Sequence, residues 1–146
     1  LDPGVQALWK KALELGMIIE LHMDATYAFP VANMLREHPQ TVAIIDHLAE
    51  AGFRSNGTPV EFANLLDLAA FEQVYMKLSG LNHFAKDAPH YLSARPFTRR
   101  VIAEFGPDQL VWGSGVQGIV DAHMPEYSEA DRMKVKGGNL QRLLGF

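Results

Sequence analysis

Four hydrophobic runs in this sequence each end in residues able to do chemistry. MIIELH ends with Glu20 and His22, TVAIID leads to Asp46 and His47, VYMKLSG carries Lys77 and Ser79, and QLVWG runs into Ser114. An imidazole titrates near neutrality and can bind a metal or move a proton; a lysine can hold a substrate carboxylate. In parallel α/β folds such residues gather beyond the carboxyl ends of the strands, where the sheet stops and loops converge on a ligand. The four polar ends therefore share one rim. A lone buried histidine is more often a hydrogen-bonded core residue than a ligand, but His22 and His47 stand at equivalent places on neighbouring strands and read as functional.

The other candidates carry more than one reading. Asp46 alternates with His47 along its strand and so is expected to face away from the site, capping a helix or anchoring a loop. Glu20 and Lys77 lie on strands that are not adjacent; either they meet across a lumen as a buried pair, or one charge stays hydrated at the open end. Ser79 with Gly80 offers substrate a hydroxyl or makes an ordinary turn. His38, His83, His90 and His123 fall at helix ends or in loops, where exposure is the default, and only His83 and His123 fall in rim loops. There is no Gly-x-Ser-x-Gly elbow, so a serine hydrolase lacks support. There is no cysteine either, so a metal would need His, Asp or Glu.

For these ends to meet, the runs must be strands of one parallel sheet, and the segments between them supply the crossovers. VQALWKKALEL places Val5, Leu8, Trp9, Ala12 and Leu13 at helical spacing, with Gly16 as a left-handed stop. A short helix from Phe29 to His38 ends at Pro39. Thr58-Pro59-Val60-Glu61 combines an N-cap, proline at the first helical position and glutamate at the third, opening a helix through Phe71. After VYMKLSG come a loop of about fifteen residues, a helix opened by Pro96 and closed by Gly106, the strand QLVWG, a glycine-rich loop and a further cap at Ser128. Helix and strand thus alternate as right-handed βαβ units. Four such strands bury both faces only if something covers each side. A half barrel must therefore dimerise, pair with a missing half or flatten into a small doubly wound sheet.

At IIDH, YMKLSG and LVWGSG the sequence resembles the amidohydrolase-related family of metal-dependent (β/α)₈-barrel hydrolases, whose members include sugar lactonases, pyrone-dicarboxylate hydrolase and aminocarboxymuconate-semialdehyde decarboxylase. The likeness covers nearly the whole chain. It implies an α/β fold with residues 1–146 as the C-terminal half of the barrel, strands five to eight. It further implies that His22 ends the fifth strand and binds metal or substrate, and that His47 is the active-site histidine of the sixth. The first-strand His-x-His pair that supplies two metal ligands in relatives has no counterpart here. The Asp of the family's WGSDWP-like segment is Gly115 in WGSGVQG. Asp121, with His123 beside it, is the nearest carboxylate that could replace it; solvation is the competing reading.

The resemblance thus implies a hydrolase acting on a lactone or other cyclic carboxylic ester or amide through activated water, with His47 and Asp121 catalytic, Lys77 and Ser79 binding a small-molecule substrate, and His22 on a divalent metal, zinc first, in the full-length parent. Decarboxylation on the same scaffold is the alternative. A non-catalytic half-barrel binding or assembly module is another, because the start at Leu1 and Gly115 suggest a fragment that is inactive alone. Within this chain His22 has too few partners for tight zinc binding. Length and charge bound the rest. With 146 residues, 48 % of them hydrophobic, the chain suits one domain but falls short of the ~250 residues of a complete barrel. A net charge of −4 and scattered Lys and Arg offer no field for nucleic acid. Its apolar runs are too short to span a membrane, so the expectation is a cytoplasmic protein that forms a homo-oligomer or pairs with a missing N-terminal half.

Overall fold

The computed structural model describes residues 2–50, 59–116 and 118–146. Helix α1 (Pro3–Glu14) starts where the Asp2 carboxylate accepts the backbone N–H groups of Gly4 and Val5 at 2.7 and 3.2 Å, with Pro3 in the first turn. Strand β1 (Ile19–Leu21) follows, then α2 (Ala28–Glu37) and β2 (Ala43–Ile45). Helix α3 (Pro59–Leu66) ends sooner than its pattern indicates and tightens into a 3-10 turn, Asp67–Ala70. Its expected Thr58 cap lies outside the described residues. Strand β3 (Val74–Leu78), α4 (Arg95–Phe105) and β4 (Leu110–Trp112) complete the alternation. Three short helices close the chain: α5 (Gly118–His123), α6 (Glu129–Met133) and α7 (Asn139–Leu144). Ser128 caps α6 by accepting from the Asp131 backbone N–H at 3.1 Å, as its position in the sequence indicates.

The four strands form one parallel sheet in the order β1-β2-β3-β4. Alternation assigns its faces. Ile19, Ala43, Ile45, Val74, Met76, Leu78 and Leu110 join the main core with Leu35, Leu65, Val101, Ile102 and Phe105 from the crossover helices. Ile44, Tyr75 and Val111 form a second, smaller core on the other face, where Leu140 and Leu143 pack against them. So the face a half barrel would leave open is covered in part by α7. Asn139 anchors that helix by donating its side-chain N–H groups to the Pro107 and Leu110 carbonyls, both at 2.7 Å.

The β1 edge is different. Of the apolar stripe on α1 only Trp9 is buried; Val5, Leu8 and Leu13 stay exposed. Between α1 and β1 runs a groove of about 590 Å³ bordered by Leu8, Lys11, Leu15, Met17 and Ile18. Among the described residues no helix is long and apolar enough to cross a membrane.

Candidate active site

The face carrying the smaller core also carries the rim. Glu20, Ile44 and Tyr75 stand in one register row, and Lys77 pairs with Val111 in the next. Continuing the alternation by two residues brings His22 and Asp46 level with Lys77, and then Ser79 level with Gly113. Asp46 thus shares the face of Lys77, which corrects the expectation that it points away. The alternation rule fails at the next residue, because the chain reverses hand there. His47, Leu48, Ala49 and Glu50 all have φ between 46° and 55°. Left-handed backbone costs non-glycine residues about 1–2 kcal/mol each. Buried Leu48 and Ala49 hold the turn in the main core. The turn lets His47 join Asp46 instead of opposing it.

His22, Asp46 and His47 each present a donor atom, and all three atoms lie within 4.8 Å of one another. The rings of His22 and His47 meet edge to face at 5.7 Å, and His83 stands at 5.8 Å on the other side of His47. His22 is exposed but its Nε2 lies 3.2 Å from Glu50 Oε1. His47 Nδ1 is 2.8 Å from the hydroxyl of Ser79, which is fully buried. Ser79 therefore holds the His47 ring in place. Two glycines make room for this arrangement. Gly80 has φ of 67°, and a Cβ there would stand 2.8 Å from His47 Cβ and Cγ. A Cβ at Gly113 would overlap the Lys77 side chain. The glycines of KLSG and VWG therefore give His47 and Lys77 room to pack.

Lys77 lies between carboxylates. Its ammonium contacts Glu20 and reaches Asp46 Oδ1 at 2.5 Å. The expected Glu20–Lys77 encounter is present, and both halves of that expectation are seen in it, since Lys77 is 17 % exposed and Glu20 55 %. Partial burial lowers the lysine pKa from its ordinary value.

Asp121 occupies a different neighbourhood. It lies on α5, takes Lys136 at 2.8 Å and Arg132 at 3.1 Å, and lines a pocket of about 300 Å³ with Trp112, Gly118 and Lys136. Ser114 is exposed. His123, expected to be solvated, is fully buried; its Nδ1 is 2.8 Å from Thr98 Oγ1 and its Nε2 donates to the His90 carbonyl at 2.7 Å. Gly115 has φ of 97°, and a Cβ there would meet Ile119 Cδ1 at 2.6 Å. Any side chain at that position would be strained on this backbone.

Sequence reasoning missed Asp46, Glu50 and the two glycines. Only register combined with parity could have signalled Asp46, and nothing in the letters DHLAE announces a left-handed turn.

The donor set suits a divalent metal, since catalytic sites of that kind use three protein nitrogen or oxygen ligands and keep a position open. Comparisons with known proteins agree with the geometry. L-fucono-1,5-lactonase from Burkholderia ambifaria is 31 % identical over 115 residues, which are 78 % of this chain and 38 % of that protein. The 4-sulfomuconolactone hydrolase of Hydrogenophaga intermedia is 25 % identical over 134 residues, 91 % of this chain and 41 % of that one. The chain therefore spans about two fifths of the length of these curated relatives. A zinc-bound amidohydrolase from Burkholderia multivorans superposes with a TM-score of 0.83 at 20 % identity, covering 99 % of this chain and 58 % of that one. The four β/α units are half of such a (β/α)₈ barrel. The amidohydrolase family model matches residues 1–146, and the chain belongs to that family.

Proposed function

We propose that this chain forms the C-terminal half of the active-site rim of a hydrolase that opens lactones or related cyclic carboxylic esters or amides with water. The observation that carries this reading is the convergence of His22, Asp46, His47 and Lys77 at one end of a parallel sheet. The fold by itself does not choose between hydrolysis and decarboxylation. The lactone-opening chemistry named for the relatives from Burkholderia ambifaria and Hydrogenophaga intermedia favours hydrolysis.

In this reading His47, fixed by Ser79, orients the water and takes its proton as the new C–O bond forms at the carbonyl. The ring C–O bond then breaks, and the leaving alkoxide collects a proton to give a hydroxy acid. Lys77 lines the substrate side, its ammonium being suited to a substrate carboxylate or to charge developing on the carbonyl oxygen, whereas Ser79, expected to bind substrate, is fully buried and positions His47 instead. A divalent metal, zinc in this proposal, would be held by His22 with neighbouring donors and would supply a Lewis acid that polarises the carbonyl. Asp121 is the rival carboxylate for the proton, as the sequence position after Gly115 suggests. The β1 edge and its groove are where a further half barrel would pair, contributed by more of the same polypeptide or by a second copy.

The test is a chimeric barrel that places this chain behind the N-terminal half of L-fucono-1,5-lactonase from Burkholderia ambifaria, assayed by pH-stat on sugar 1,5-lactones. Acid release that falls about a hundredfold or more in His47→Ala is expected. A folded chimera that opens no lactone, or one in which His47→Ala is fully active, contradicts the proposal.

A further inference from the structure

We propose that the pocket formed by the end of β4, α5 and the π-helical turn Lys134–Gly138 binds the carboxylate of a small organic acid. Trp112, Gly118, Asp121 and Lys136 line it, and its volume is about 300 Å³. It is separate from the rim described above. Trp112 packs against the main core, whereas its neighbour Val111 belongs to the smaller core, on the face that carries His22, Asp46 and Lys77. Carboxylate binding in this pocket is independent of any lactone opening.

Three observations support it. The first is charge. Lys136 Nζ lies 2.8 Å from both oxygens of Asp121, and Arg132 Nε lies 3.1 Å from Oδ1. One carboxylate between two cations leaves one positive charge over. Arg132 is fixed further by donating to the Tyr127 carbonyl at 2.5 Å, so Asp121 keeps a partner when Lys136 turns to a ligand. The second is an unused donor. The Trp112 indole N–H is buried and has no hydrogen-bond partner among the described residues. A buried donor without an acceptor is costly, and nearly all such groups find one. A ligand oxygen in the pocket that Trp112 lines would supply it. The third is the backbone that carries Lys136. π-Helical turns are rare and recur at functional sites. Here Val135 is fully buried and Lys134 pairs with Asp108 at 2.9 Å, so the residues before Lys136 anchor the turn and hold its ammonium at the pocket.

These groups select the ligand. A carboxylate has two oxygens, one for the Lys136 ammonium and one for the Trp112 N–H, and its single charge equals the excess. The bond to the ammonium is charge-assisted, the stronger kind. A phosphate dianion would bring a second negative charge towards Asp121 with nothing to balance it. The pocket is also larger than a carboxylate. Its remaining walls are the indole and α5 at Gly118, where no side chain intrudes, and an apolar or aromatic body fits beside the ring. Asp121 is the competitor, because it holds Lys136 in the free protein and so sets how tightly an acid binds.

The experiment titrates the ¹⁵N-labelled chain with benzoate and follows the indole N–H signals of its two tryptophans. The Trp112 signal is expected to move downfield and saturate between about 1 and 50 mM, as one charge-assisted and one neutral hydrogen bond allow. Trp9, buried on α1, should not move. Lys136→Met should weaken binding at least about tenfold. Asp121→Asn should tighten it about threefold or more, by releasing Lys136 and removing a like charge. That gain guards against misfolding as the explanation, because a damaged pocket does not bind better, and the backbone signals of each sample check the fold. Benzamide, which has the shape without the charge, and inorganic phosphate should each bind at least about tenfold more weakly than benzoate. No saturable Trp112 shift at about 50 mM benzoate, or equal binding of benzamide, overturns the site. Unchanged affinity in a folded Lys136→Met, or weaker binding in Asp121→Asn, does so too. Tighter binding of phosphate than of benzoate overturns the choice of a carboxylic acid.

Discussion

Two histidines in this chain each sit 2.8 Å from a hydroxyl, and they do opposite things. His123 has both ring nitrogens committed to the protein, one to Thr98 and one to the His90 carbonyl, and none of its surface reaches water. His47 has one nitrogen held by Ser79, and the rest of its ring faces His22, His83 and Asp46 at the end of the sheet. The same pairing motif therefore locks α5 to α4 in one case and orients a ring at the end of the sheet in the other. What separates the two imidazoles is the valence left over after the fold has used what it needs.

The sharpest way to break this comparison is to delete each ring. In the chimeric barrel His47→Ala should lower hydrolysis about a hundredfold or more and cost about 1 kcal/mol of stability, since it strands the buried Ser79 hydroxyl. His123→Ala should do the reverse. It strands the Thr98 hydroxyl and the His90 carbonyl in the core, a loss of about 2–4 kcal/mol in denaturant unfolding. A pH series sharpens the contrast. Burial, the largest influence, lowers the His123 pKa below its ordinary value of 6.5, so the unfolded chain binds the proton more readily than the folded one. The stability this contributes is complete above the unfolded pKa and is lost as pH falls below about 6.5 towards the folded pKa. Chemical melts between pH 7.5 and 5 should show that slope in the parent and a shallower one in His123→Ala. Equal slopes would remove His123 as the buried neutral group.

Glycine offers a smaller test. Gly80 and Gly106 both have positive φ, 67° and 64°, but ψ is 19° at Gly80 and 169° at Gly106; only at Gly80 would a Cβ strike His47, and nothing lies within 4 Å of one at Gly106. Gly106→Ala should cost about 1–3 kcal/mol from the backbone alone, because its φ and ψ are open essentially to glycine only. Gly80→Ala should lower turnover in the chimera as well as stability, because the Cβ displaces the His47 ring that serves as the base in the proposed function. The smallest effect is expected at Asp121. Held by Lys136 and Arg132, it should tolerate Asp121→Asn in the chimera with less than about a threefold change in turnover. A fall of a hundredfold would make Asp121, not His47, the group that takes the proton.

Much of this was legible before any coordinates. The order of strands and helices, the cap at Ser128 and the gathering of Glu20, His22, His47 and Lys77 follow from apolar runs punctuated by Gly, Pro and cap residues, since those signals are local. The misreadings share a physical cause. Asp46 was assigned to the wrong face because strand parity was carried one residue too far, into a turn whose left-handed backbone is fixed by the burial of Leu48 and Ala49. His123 was read as solvated because a short helix following a glycine-rich loop looks peripheral, whereas packing against Thr98 and His90 is a long-range contact that periodicity does not register. The apolar stripe of α1 is present as the spacing predicts, yet only Trp9 of it is buried, and Leu8 and Ala12 border the open groove beside β1.

The central claim is that the rim histidines, and not the buried one, have nitrogens to spare for a ligand. Long-range ¹H–¹⁵N spectra of the six imidazoles, recorded on the chain before and after one equivalent of Zn²⁺, test it directly. The account predicts that His22 and His47 shift together on adding zinc, with His47 protonated on Nδ1, while His123 keeps a neutral Nε2–H signature throughout. Zinc-induced shifts at His123, or unchanged spectra for both His22 and His47, would contradict it.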